Sequence, residues 1–444
     1  MSEVRPQAAS EPAATPGRRG FMMGALPVLA APVILASRAR AATRHTLRYW
    51  SFLDPASKDP RSRAQSQMIA GFQAKNPDIA IRIEVVHWSK IVPLLNTSAA
   101  AGQAPDLALI HSSRIPQAAD AGAIVPIDAF IDAMPQAEQA DFLEPLAKMR
   151  YQGHIWSLPA EHRIEGMLLY RTDLFAKAGI TRPPRTFAEL AEVAGKLNQP
   201  HVWGFVWALS RKDAAANVKI LQTEYWAAGG DFFKPDGTAN VNSPIGLKLA
   251  DALADLAFKR KVMPARPVGV EEARSMMKGG TAAILVEGTQ VFNSIASAKA
   301  VGPNLATAPL PTLEAGQYPP DALLAGQTLA ISKDCKARDA AWRFIDYMTH
   351  PAAQLVSATV GGSLPVRKSV FKDAWFATPA ARQMVGWRDY ILAKGRPFLV
   401  STLSDYMNDC LGLAYEEILT RSATPRVALE QAAARFNERK RSTN

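Results

Sequence analysis

Residues 162–180 read HRIEGMLLYRTDLFAKAGI, and the fold turns on how this stretch is read. Met167, Leu168, Leu169 and Tyr170 form an apolar run with the look of a buried strand. The run is entered through His162, Arg163, Glu165 and Gly166: two basic side chains, a carboxylate and a glycine. A surface loop is one reading of that entry. The alternative depends on the rest of the chain.

The sequence on either side alternates strands with helices. HTLRYWSFLDP (45–55) sets Leu47 and Tyr49 on one face and Trp50 on the other, and stops at Asp54-Pro55. Residues 79–86, IAIRIEVV, put Ile79, Ile81, Ile83 and Val85 on one face with Arg82 and Glu84 opposite, the period of a half-buried strand. The short apolar strand Leu107–Ile110 exits into His111, Ser112 and Ser113. Beyond residue 164 the pattern restarts: the strand at Met167, a short helix closed by Gly179, and Thr186 with Glu189 as a helix-capping box. Residues 243–258 carry a stripe of Ile245, Leu249, Leu253 and Leu256. Strands follow at 281–288 and 323–334, and a helix follows that must end before Pro351. Polar groups cluster where strands end, which predicts an α/β protein whose ligand meets the loops beyond those ends.

The 444 residues suffice for two or three domains or one large two-lobed molecule. The composition, 48% hydrophobic and 20% charged, is that of a soluble globular chain. The first 41 residues read as a leader. GRRGFMMGALPVLAAPVILASRARA (17–41) joins Arg18-Arg19 to an apolar stretch broken by Pro27 and Pro32, then to Ala39-Arg40-Ala41. That predicts a twin-arginine export signal cut after Ala41 and a periplasmic protein; a membrane anchor is the competing reading, for which the stretch is short. The leader holds five Arg and two Glu, so its loss takes the net charge from +11 to +8. The remaining basic residues are dispersed, which argues against a nucleic-acid partner. Cys335 and Cys410 have no metal-ligand or redox spacing and are expected as separate thiols.

Several stretches together resemble the extracellular solute-binding proteins of ATP-driven importers, in the carbohydrate-binding branch that includes the maltodextrin-binding protein. The most specific is 152–190, QGHIWSLPAEHRIEGMLLYRTDLFAKAGITRPPRTFAEL; AGQAPDLALI, AGAIVPIDAFI, GGTAAILVEGTQVF, LAISKDCKARDAAWRFIDYM and GGSLPVRKSVF support it by order. The resemblance implies a type II two-lobed α/β fold, two open mixed sheets joined by crossing segments. One lobe is expected to hold 42–163 and 328–358, the other 164–327 and 359–444. HRIEG would be the first crossing, Ala322–Gln327 the second and Thr359–Leu364 the third, with Gly166, Ala325, Gly361 and Gly362 as hinge residues.

By the same resemblance Asp54, His111, Ser112, Arg163, Glu287, Gly288, Gln290, Gly326, Gln327 and Arg367 line the cleft. Trp50, Trp207 and Trp226 are candidate platforms for a sugar ring, with a core position as the alternative for each. Thr289 and Gln290 stand where the family often has Trp. Arg163, Arg367 and His111 together would suit an acidic ligand. The implied function is capture of a sugar or sugar derivative by a monomer and its delivery to a permease and ATPase, with no cofactor or metal. Two other classes compete: an exported hydrolase, for which no Gly-x-Ser-x-Gly or His-Glu-x-x-His motif is present, and a binder of iron, phosphate or another non-sugar anion.

Overall fold

Ten strands and the helices between them build the chain in a computed structural model that describes residues 45–213, 217–397 and 403–443. The predicted export signal lies outside the described residues. Among the described residues no helix is long and apolar enough to cross a membrane.

The strands form two sheets. The first has the order β10 (Gly395–Pro397), β9 (Ala322–Ile331), β3 (Leu107–His111), β1 (His45–Ser51) and β2 (Ile79–Val85), with β4 (Leu158–Ile164) also on β9. β1 runs parallel to β2 and β3, whereas β9 is antiparallel to β3 and β4. The second has the order β6 (Val206–Trp207), β7 (Ile284–Glu287), β5 (Met167–Arg171) and β8 (Leu305–Ala308), with β5 antiparallel to both neighbours. Both sheets are mixed and open, as the family resemblance implies.

Each sheet is covered on both faces, and the two-residue period of the strands assigns the faces. In the first, Leu47, Tyr49, Leu107, Leu109, Leu329 and Ile331 enter one apolar cluster. Trp50, Ala108, Ile110 and Ala330, the alternate positions, enter another. In the second, Leu168 and Val286 point to one side, and Met167, Leu169 and Leu285 to the other. Each fully buried leucine contributes roughly 1.5–3 kcal/mol, so a one-residue slip of either central strand would exchange two cores at once. β2 is an edge strand, and its last residue, Val85, is exposed rather than buried with Ile79 as the alternation suggests.

The helices begin and end where their sequences specify. Thr186 Oγ1 accepts the Glu189 amide at 3.1 Å, and Glu189 Oε2 accepts the Arg185 amide at 2.8 Å. Pro351 ends one helix (Arg338–Thr349) and opens the next (Pro351–Thr359), because its ring cannot sit in a helix interior. Cys335 and Cys410 are free and buried in different clusters.

Only Glu165 and Gly166 separate β4 of the first sheet from β5 of the second. Gly166 is there for room: a Cβ on it would lie 2.5 Å from Ile220 Cγ2 and 3.0 Å from Leu310 Cδ1. The expected changeover at 327/328 falls inside β9, which is one continuous ladder with Ala325 paired to Arg163. The third crossing also differs from the expectation that 359 onward belongs to the second lobe. Val366 is in the first lobe's core, Leu143 N–H donates to Val366 O at 2.8 Å, and Ser369 is bonded to Asp141. Gly362 adopts φ 71° and packs where a side chain would strike Asn293 of the second lobe; Gly361 lies close against Ser357 and Ala64.

Candidate functional site

A cavity of about 460 Å³ opens where the strands of both sheets end. The loop after β1 contributes Phe52, Asp54 and Asp59, the turn after β2 His87 and Trp88, and the end of β3 His111, Ser113 and Arg114. The second lobe contributes Asn217 and Lys219, one face of the helix Val270–Lys278 through Glu271, Arg274 and Lys278, and the β7 exit through Glu287, Gln290 and Ser294. Arg163, Glu165 and Gln327 come from the crossing strands. This is the position in which an open α/β sheet meets a ligand.

The buried carboxylate of Glu165 organises the floor. Its Oε1 lies 2.7 Å from Arg163 Nε, 2.8 Å from His111 Nε2 and 3.5 Å from Lys219 Nζ. Burial alone would push this carboxyl up, but the Arg163 and Lys219 charges outweigh it and hold the group well below the usual carboxylate range. Burial draws Lys219 down from the usual lysine range, opposed by Glu165. His111 is drawn down to about 3 by burial and by the Lys219 and Arg163 charges, so its ring is neutral at pH 7. The Ser113 amide donates to His111 Nδ1 at 3.2 Å, which leaves Nε2–H as the donor to Glu165.

The walls are of a different kind. Arg274 is tied to Glu287 at 2.9 Å and to Glu271 at 2.6 Å. Arg61 is tied to Glu161 through Nε at 3.3 Å and through a terminal nitrogen at 2.5 Å, and Glu161 also accepts from Ser363 Oγ. Trp88, 36% exposed, is the indole at the cavity, next to the His87 ring at 5.4 Å. Gln290 Oε1 is buried without a hydrogen-bond donor, and Gln290 lines the cavity. Arg114 of the first lobe meets Asp405 of the second at 3.3 Å, an ion pair that spans the two lobes.

Of the residues picked out from the sequence, Asp54, His111, Arg163, Glu287, Gln290 and Gln327 line this cavity. The others do not, and each has a reason. Trp50 is a core residue whose Nε1–H donates to Glu84 at 2.8 Å. Trp207 is buried against Phe205 in the second lobe. Trp226 packs on Leu323 beneath the Arg396 guanidinium and donates to Asp231. Arg367 is 3% exposed, stacks on Phe142 with its Cζ 3.7 Å from the ring centre, and donates to the Thr349 and Glu138 carbonyls. It is a brace of the first lobe and does not line the cavity. Ser112 starts the turn that carries Ser113 and Arg114 to the cavity. Gly326 allows β9 to lie against the Glu161 carbonyl, and Gly288 makes space for the Gln290 side chain.

The sequence reading missed Trp88, Lys219 and Arg274. Trp88 had a usable signal, a tryptophan in polar surroundings just past a strand. Lys219 had a fainter one, a lone cation inside the apolar run VKIL. Arg274 had the spacing of a helix face shared with Glu271 and Lys278.

Comparison with known proteins fits this geometry. The family model described as bacterial extracellular solute-binding protein matches residues 57–355. A putative binding protein of Brucella abortus is 25% identical over 316 residues, 70% of this chain and 74% of that one. The maltotriose-binding protein of Pyrococcus abyssi is 27% identical over 315 residues, 68% of this chain and 63% of that one. Among solved structures, maltose-bound MalE3 of T. maritima superimposes with a TM-score of 0.78 at 25% identity, covering 88% of this chain and 99% of that one. With two lobes, a cleft at their strand ends and a family match across most of its length, the chain belongs to the bacterial extracellular solute-binding proteins, which bind solutes without transforming them.

Proposed function

We propose that the protein captures a sugar or sugar derivative in the cleft between its lobes and hands it to the permease of an ATP-driven importer. The observation that carries this reading is the cavity itself. It combines an exposed indole, Trp88, and the Phe52 ring with convergent polar groups from both lobes, among them an acceptor at Gln290 unpaired among the described residues. A flat aromatic face covers the C–H side of a sugar ring, and polar groups on the facing lobe pair its hydroxyls, each of which would cost about 1–3 kcal/mol if buried unpaired. The maltotriose- and maltose-binding relatives support a sugar as the solute.

The protein works as an exported monomer, carried to the periplasm by the twin-arginine route through residues 1–41. Ligand bridging the two lobes favours the closed form by the difference in its affinity for the closed and open forms. The closed form then docks on the membrane partner.

Thermal unfolding across a panel of mono- and oligosaccharides tests the reading, because a ligand that binds only the folded chain raises the midpoint by mass action. At least one sugar is expected to raise it with saturable dependence and to be recovered unchanged. Trp88→Ala is expected to weaken that sugar about tenfold, roughly 1.4 kcal/mol. A panel in which no sugar shifts the midpoint would sink the reading.

A further inference from the structure

The cavity floor offers hydrogen-bond donors that the protein itself does not use. Arg163 is fixed through Nε to Glu165, and no described residue hydrogen-bonds its two terminal nitrogens. Lys219 is 3% exposed, and the one ion-pair partner of its Nζ among the described residues is Glu165, at 3.5 Å. Asn217 is 2% exposed, and its Nδ2 has no hydrogen-bond partner among the described residues. All three line the cavity.

The charges do not balance there. Arg163 and Lys219 are opposed by Glu165 alone, and His111 is neutral. The neighbouring Arg114–Asp405 pair adds nothing to the sum. Two partly buried cations of the cavity are already paired: Arg61 with Glu161, and Arg274 with Glu287 and Glu271. Asp54 and Asp59, on the first-lobe side, keep their charge but are held by the backbone amides of Ala56, Arg61 and Ser62, and neither forms an ion pair with the floor cations. The floor is therefore the place where one unopposed positive charge and several free N–H groups coincide, on side chains that are themselves largely buried. A buried cation without its own counter-ion is costly, and an anion seated beside it removes that cost.

We propose that the solute carries one acidic group, a carboxylate on a sugar, and that Arg163, Lys219 and Asn217 form its seat. The two terminal nitrogens of a guanidinium match the two oxygens of a carboxylate. The single surplus charge suits a singly charged carboxylate better than a doubly charged phosphate ester. This rests on the sugar-binding reading above and narrows it to acidic sugars, with the ring against Trp88 and its hydroxyls on Gln290 and Gln327.

Calorimetric titration of the purified protein with matched pairs tests it: glucuronate against glucose, galacturonate against galactose, and acidic against neutral disaccharides. Glucose 6-phosphate, succinate and inorganic phosphate complete the panel. The acidic sugar of at least one pair is expected to bind roughly tenfold to a hundredfold tighter than its neutral partner, the range for charge-assisted hydrogen bonds. Lys219→Met should bring the ratio of acidic-sugar to neutral-sugar affinity down to about one. Asn217→Asp, which sets a carboxylate into the seat without shortening a side chain, should act in the same direction if Lys219→Met fails to fold.

Neutral sugars binding as tightly as their acidic partners would overturn the acidic seat and leave the sugar reading standing. Succinate or phosphate binding where no sugar binds would overturn the sugar reading. A preference for glucose 6-phosphate over every carboxylate would overturn the carboxylate assignment. Binding of nothing in the panel would overturn both.

Discussion

Glu165 and Glu224 are almost equally buried, at 3% and 1% exposure, yet their chemistry is opposite. Glu165 has Arg163, Lys219 and His111 around one oxygen. Glu224, in the helix Gln222–Ala227 of the second lobe, has no hydrogen-bond partner on either oxygen among the described residues. Burial raises Glu224 well above the usual carboxylate range, opposed only weakly by the Leu313 backbone, so it is protonated. Glu165 is ionised in spite of its burial. Depth alone therefore does not decide the charge of a carboxyl; its neighbours do. The segment 217–226 links the two sites, since it supplies Lys219 to the cleft and Glu224 to the lobe interior.

The largest effect is expected at Glu165. Glu165→Gln leaves Arg163 and Lys219 buried without their counter-ion, and breaking such a pair costs about 3–5 kcal/mol. The urea midpoint at pH 7 should fall accordingly. The wild-type pH dependence follows from the lowered value of this carboxyl. Its stabilisation is present above the unfolded value of about 4.3 and is lost as pH falls through the depressed folded value. Glu165→Gln should therefore narrow the difference in stability between pH 7 and pH 3. An unchanged midpoint at pH 7 would mean that the cations do not depend on Glu165.

Gly166 is the physical link between the crossing and the cleft. A methyl group there meets Ile220, whose chain neighbour is Lys219. Gly166→Ala is expected to cost about 1–3 kcal/mol by overpacking and to weaken solute binding by displacing Lys219 from Glu165. A loss of stability with binding intact would separate the packing role of Gly166 from the site.

Glu224 reverses the pH argument. The folded chain keeps a proton here that the unfolded chain sheds above about pH 4.3, so this group lowers stability as pH rises, by up to about 1.4 kcal/mol per unit. Glu224→Gln should be more stable than wild type at pH 7 by a margin that shrinks towards pH 4. Denaturant midpoints of both proteins at the two pH values check it; a margin independent of pH would mean that Glu224 is ionised in the fold.

These contrasts also explain what the sequence could and could not reveal. Strand period and strand-exit chemistry expose the alternating architecture, and the polar entry to Met167 marks the passage between sheets. His111, Glu287 and Gln290, which line the cavity at strand ends, are picked out because the family resemblance aligns those strand exits with the cleft. Trp207 and Trp226 are not separable from cleft tryptophans by sequence, because a buried indole and a ligand platform share their apolar surroundings. Arg367 sits in a loop sequence that looks solvated, and only the approach of Phe142, more than two hundred residues earlier in the chain, makes it a buried brace. Lys219 is hidden for the reverse reason: its segment looks like core, and the counter-ion that makes burial possible is supplied by Glu165, 54 positions upstream.

The smallest effect belongs to the pair that joins the lobes directly. Arg114 and Asp405 are partly exposed, at 14% and 26% of their side chains, so the bridge is worth only about 0.5–1 kcal/mol. That is little for global stability. It matters for an equilibrium between open and closed lobes, where 0.8 kcal/mol is about a fourfold change in population. Asp405 also sits near enough to Lys219 to favour its charged form. Asp405→Asn should thus leave the unfolding midpoint almost unchanged, enlarge the radius measured by X-ray scattering without ligand, and weaken solute binding about twofold to fivefold. The tie to the Glu165–Glu224 contrast is direct: removing Asp405 leaves the floor with a second unopposed cation. An acidic solute should then lose less affinity than a neutral one, and equal losses for both would place the effect in lobe closure alone.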